Sequence, residues 1–133
     1  MNMRIQPEAE YLFVEISGPF ELSEAQTLSL QYLEACIEHQ LSKVVVDTYG
    51  VTGQLTVNER FRYADFVARQ VIDFIALGRL QPPQLAYVGA PPILDPEEFG
   101  VLVALSRGVS TKTARTVDQA LAWLGVAPPG PEA

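Results

Sequence analysis

Residues 43–59 read KVVVDTYGVTGQLTVNE, and the fold turns on how this stretch is built. Lys43 opens a nearly continuous β-branched run that ends at Asp47, the pattern of a short strand covered on both faces in a parallel sheet. Asp47, Thr48, Tyr49, Gly50, Thr52 and Gly53 then read as a loop. Thr56 and Glu59 form a capping box that launches a helix to about residue 77. Strand, loop and helix in that order place the loop at the carboxyl edge of a sheet, where open α/β proteins usually hold ligands.

Upstream, residues 3–6 and 11–17 read as two strands joined by a tight turn through Pro7, Glu8 and Ala9, with Leu12, Val14 and Ile16 on one face. Gly18 and Pro19 end the hairpin. Ser23 and Gln26 make a capping box for a helix to about residue 40, whose Leu22, Ala25, Leu28, Tyr32, Cys36 and Ile37 recur at helical spacing. Downstream, residues 84–88 form a strand. Asp95, Pro96, Glu97 and Glu98 signal a helix start by acid, proline and glutamate in the first turn. That helix points Phe99, Leu102 and Val103 inward and stops at Gly108. Residues 111–115 are a Thr-rich strand near an edge, and Thr116 with Gln119 caps a last helix that ends at Gly125. Residues 126–133 form a proline-rich tail without periodicity, expected to be disordered.

The order β-β-α-β-α-β-α-β-α describes one α/β domain over residues 1–125, with a mixed, mostly parallel five-stranded sheet and four helices. A chain of 133 residues with 48% hydrophobic and 19% charged residues builds its own core without disulfide or metal. A net charge of -7 opposes nucleic-acid phosphates and excludes that class of partner. The opening residues lack the basic and apolar regions of a signal peptide, and no apolar run spans a membrane, so a cytoplasmic protein is expected. Cys36 stands alone, which leaves no intrachain disulfide or cysteine metal cluster. Lone His39 falls at a helix end, where it suits the dipole rather than catalysis.

Chemistry is sparse. Gly50-Val51-Thr52-Gly53 lacks the Lys-Ser/Thr ending of a phosphate loop, and no dinucleotide fingerprint is present. Asp47 at a strand end lacks the acidic pair of a receiver domain, and no Ser-His-Asp or Cys-His pair occurs. No enzyme activity, cofactor or metal is indicated.

The helix after Thr56 is more informative. At 100° per residue, Val57, Phe61, Ala64, Ala68, Val71, Ile72 and Ile75 form one apolar stripe. Tyr63, Phe66, Val67, Phe74 and Leu77 form another, roughly 140° away. A helix on the outside of a sheet buries one face, so the second stripe must meet a neighbouring helix, a second copy of the chain, a protein partner or a lipid surface.

The element order, VVVDTYGVTG followed by LTVNERFRYADFVA, the AYVGAP strand end and the closing VDQALAWL helix resemble the SpoIIAA-like branch of the STAS superfamily. The resemblance implies a group of small bacterial regulatory or interaction domains. In anti-sigma-factor antagonists of that superfamily, a serine at the start of the helix after the central strand is phosphorylated, and Thr56 falls near that position. The expected Asp-Ser-Ser-Gly is replaced here by Gly53-Gln54-Leu55-Thr56. The branch is also similar in fold to lipid-binding CRAL-TRIO domains. That similarity implies a second possibility, a small apolar or lipid ligand held under the helix after Thr56 and lined by Phe61, Phe66, Phe74, Phe20 and Tyr49.

Overall fold

The computed structural model describes residues 1–127. Its elements are β1 (Asn2–Pro7), β2 (Leu12–Pro19), α1 (Leu22–His39), β3 (Lys43–Thr52), α2 (Val57–Ala76), β4 (Gln84–Val88), α3 (Phe99–Ser106), β5 (Ser110–Ala114) and α4 (Val117–Leu124). The five strands lie in the order β1-β2-β3-β4-β5. β1 pairs antiparallel with β2, and every later pairing is parallel. The all-valine centre of β3, fully buried at Val44, Val45 and Val46, lies mid-sheet as a strand covered on both faces must.

Three β-α-β crossovers step the same way across the sheet, which puts α1, α2 and α3 on one face. There Leu12, Val14, Val44, Val46 and Leu85 meet Tyr32, Leu33, Val67, Val71 and Ala104. α4 follows the edge strand β5 and closes the other face, packing Ala120, Leu121 and Leu124 on Val45, Ala86 and Val88. The alternation along β3 and β4 thus feeds two cores from one sheet. Val126, which the sequence assigns to a tail, is buried in the second core; residues 128–133 of that tail lie outside the described residues.

Four local expectations change. β3 does not stop at Asp47 but runs to Thr52, because Gly50, Val51 and Thr52 pair with Ser17, Gly18 and Pro19 of β2. α1 is capped by Glu21, whose carboxylate accepts from the Ser23 and Glu24 N–H groups at 3.2 and 2.7 Å. An ionised carboxylate is a stronger acceptor than the Ser23 hydroxyl, which itself donates to Glu21 at 2.7 Å. α3 starts at Phe99 rather than beside Asp95, since Glu98 takes the left-handed conformation at φ 56° and interrupts the helical path. This delay turns Val101, Val103 and Ala104 inward and leaves Leu102 exposed.

The fourth concerns α2. Its buried residues are Ala64, Val67, Ala68, Val71 and Phe74, one face lying between the two expected stripes. Neighbouring helices flank that face: Tyr32 of α1 bonds Tyr63 at 3.1 Å, and Arg107, just past α3, ion-pairs with Asp65 at 2.8 Å.

Candidate functional site

The carboxyl edge of the sheet is shaped by an irregularity in β3. Between the pairs Glu15↔Asp47 and Ser17↔Gly50, β2 advances two residues while β3 advances three. The extra residue reverses the side-chain alternation. Val51 therefore returns to the face of Val46 and Thr48, beneath α2.

The residues read as a loop separate accordingly. Asp47 accepts the Tyr49 N–H at 2.9 Å, and the Tyr49 hydroxyl donates to the Arg115 carbonyl at 2.6 Å. Both are thereby held on the α4 side. Thr48 is buried and donates to the Val88 carbonyl at 2.9 Å, tying β3 to β4 where their ladder ends. Gly50 is required by close approach: a Cβ there would lie 2.8 Å from the Ser17 Cβ. The true loop is Gly53, Gln54 and Leu55, and Gly53 turns it at φ +99°. Thr52, Gly53 and Thr56 are exposed. Thr56 forms the expected capping box, accepting the Glu59 N–H at 3.1 Å while Glu59 accepts the Thr56 N–H at 2.9 Å.

One turn into α2, Arg60 reaches across to the segment after β4 and donates to the Pro92 and Ile93 carbonyls at 2.6 and 2.8 Å. Asp95 in that segment accepts the Phe99 and Glu97 N–H groups at 3.0 and 3.2 Å. The bond from Phe99 is the main cause holding its carboxyl below the ordinary range. Glu98 accepts the Thr113 hydroxyl at 2.5 Å. Arg60, Asp95 and Glu98 are thus each hydrogen-bonded within the chain.

Behind it, between the sheet, α2 and α3, lies a cavity of about 130 Å³. Val46, Val51, Leu85 and Tyr87 of the strands face Tyr63, Ala64, Val67 and Ala68 of α2 and Gly100, Val101 and Ala104 of α3 across it. Small residues on both helices border it; Gly100 faces Ala64, where an added Cβ would meet the Ala64 Cβ at an ordinary contact distance of 3.8 Å.

Three tyrosines meet beside it. Tyr32 lies 2.7 Å from Tyr87 and 3.1 Å from Tyr63, hydroxyl to hydroxyl, and Tyr63 is 3.5 Å from Tyr87. Burial raises the pKa of all three, so they are neutral hydroxyls at ordinary pH. The Tyr63 and Tyr87 rings meet edge to face, 6.3 Å apart.

Of the second group, Tyr63 and Val67 line this cavity. Phe74 is buried in the core under Arg79, whose guanidinium stands 5.0 Å from its ring. Phe66 is half-buried, and Leu77 is 69% exposed at the far end of α2. Among the aromatic residues expected to line a ligand site, Phe20 lines the cavity. Phe61 lies at the surface beneath Arg107, and Tyr49 faces away.

Sequence reasoning missed the tyrosine cluster and the Arg60 bridge. Tyr32, Tyr63 and Tyr87 come from three elements, and no local spacing relates them. Cys36 is buried and its thiol is pushed up to about 12 by desolvation. Among the described residues, no cluster of His, Cys, Asp and Glu is arranged to hold a metal ion, and no helix is long and apolar enough to cross a membrane.

A mixed five-stranded sheet with three crossover helices on one face and a terminal helix on the other is the SpoIIAA-like STAS fold. Solved structures agree. An anti-sigma factor antagonist from Mycobacterium paratuberculosis superposes with a TM-score of 0.58 at 17% identity, over 93% of each chain. SpoIIAA, an anti-sigma factor antagonist in its unphosphorylated form, superposes with a TM-score of 0.53 at 8% identity, over 96% of this chain and 100% of that one. No protein-family model and no curated protein sequence matches the chain.

Proposed function

We propose that this chain is a non-enzymatic regulatory module that works in the cytoplasm by binding another protein, in the manner of an anti-sigma factor antagonist. The observation that supports this reading is the likeness to two such antagonists along nearly the whole of both chains. The α2 start supplies a suitable surface. Thr52, Gly53, Gln54 and Thr56 are exposed there, and Val57 is 71% exposed, an apolar anchor on a polar rim of the kind that partner proteins cover. Phosphate on Thr56 would place new charge beside that anchor at a helix N-terminus, where the dipole favours it. Self-association is a second use of the α2 surface, through exposed Leu77 and half-buried Phe66.

Co-purification from the native cells tests the reading. A protein retained by the unmodified chain is expected to be lost on Val57→Asp and kept on Leu77→Asp, with circular dichroism unchanged in both. Retention of the same protein by Val57→Asp would overturn the assignment of this surface. Sedimentation of the unmodified and Leu77→Asp chains reports whether two copies pair.

A further inference from the structure

We propose that the cavity between the sheet, α2 and α3 is a binding site for an uncharged, single-ring aromatic molecule carrying one hydroxyl group, with that hydroxyl seated between Tyr63 and Tyr87. This adds a small-molecule site to the protein-binding surface and does not depend on it.

Size sets the ring count. At about 130 Å³ the space is close in volume to an engineered apolar cavity of roughly 150 Å³ that takes up benzene. Charge is excluded by the bonding at the rim. Arg60 is spent on two carbonyls, Asp95 on two N–H groups and Glu98 on the Thr113 hydroxyl. The rim holds both signs, Arg60 beside Asp95 and Glu98, so an ionic ligand would meet a like charge as well as an opposite one and would lose its hydration in the apolar space behind them.

The tyrosines set the polar group. Tyr63 and Tyr87 line the cavity, and theirs is the longest contact of the three, 3.5 Å against 2.7 and 3.1 Å for the bonds through Tyr32. At 3.5 Å an O–H···O bond is weak. A hydroxyl can donate to one tyrosine oxygen and accept from the other, so it replaces the weakest edge of the cluster with two better bonds. A ring without a hydroxyl gains only the apolar burial.

Phenol and benzene are the probes, followed by NMR on the unmodified, methyl-labelled chain. Nuclear Overhauser contacts are expected from the phenol ring to methyls of Val46, Val67, Leu85 and Val101. Phenol is expected to bind about fivefold more tightly than benzene, one net hydrogen bond's worth. Tyr87→Phe is expected to remove that preference while leaving benzene binding intact. Absence of contacts to these methyls at millimolar probe would overturn the proposal, and so would phenol binding no tighter than benzene in the unmodified chain, a comparison that needs no variant to fold. An undiminished preference for phenol in a folded Tyr87→Phe chain would likewise overturn it.

Discussion

Tyr32→Phe removes one oxygen and leaves the shape of the core unchanged, which makes it a clean probe of the tyrosine cluster. Tyr32 is fully buried and holds the two short bonds, 2.7 Å to Tyr87 and 3.1 Å to Tyr63. Each net hydrogen bond contributes about 1 kcal/mol, and orphaned buried partners raise the loss. The two remaining hydroxyls start 3.5 Å apart and can close on each other, which limits it. The expected destabilisation is about 2 kcal/mol, or about 1 M off the urea midpoint at a slope of about 2 kcal/mol/M.

Urea unfolding at neutral pH would be followed by Trp123 fluorescence and by far-ultraviolet circular dichroism. Coincidence of the two curves is needed for two-state analysis. The triple variant with Phe at residues 32, 63 and 87 should be less destabilised than the sum of the singles, because no polar partner is left behind. A midpoint unchanged by Tyr32→Phe, or strictly additive losses in the triple variant, would refute the view that the hydroxyls act as one bonded group.

Stability should fall at alkaline pH. The Cys36 thiol is raised from 9.0 to about 12, so above pH 9 the unfolded chain sheds a proton that the native chain keeps. The resulting decline is about 1.4 kcal/mol per pH unit. Tyr32, raised above its ordinary 10.0 by burial, steepens the decline from that point; urea midpoints flat from pH 8 to pH 11 would contradict both assignments. Gly50→Ala should cost about 1–3 kcal/mol by overpacking, because its Cβ would sit 2.8 Å from the Ser17 Cβ and 3.1 Å from the Ile16 carbonyl oxygen. Adding Ser17→Gly should recover part of that loss in thermal melts, and an equal or larger loss in the double variant would count against the close β2–β3 contact.

Much of the architecture was legible because its causes are local. The Thr56–Glu59 capping box depends on residues three apart and forms as read. The valine run of β3 announces a strand buried on both faces, and Gly125 ends α4 in the left-handed conformation at φ 70°. The site was less legible because its causes are distant. Residues 50–52 look like a glycine-rich loop until Ser17, Gly18 and Pro19 pair with them. Nor can α2 announce which of its apolar residues face inward, since α1 and α3 choose between them.

The division follows from the range of the interactions. Capping, periodicity and β-branched composition act over a few residues, and they determined the element order, the mostly parallel sheet and the capped start of α2. Register, the extra residue in β3, the union of Tyr32, Tyr63 and Tyr87 and the cavity they border depend on contacts between elements far apart in the chain. These exist only after the helices settle on the sheet, so the sequence could point to an apolar space under α2, but only the tertiary structure could line it with Tyr63 and Tyr87 in place of Phe61, Phe66, Phe74 and Tyr49.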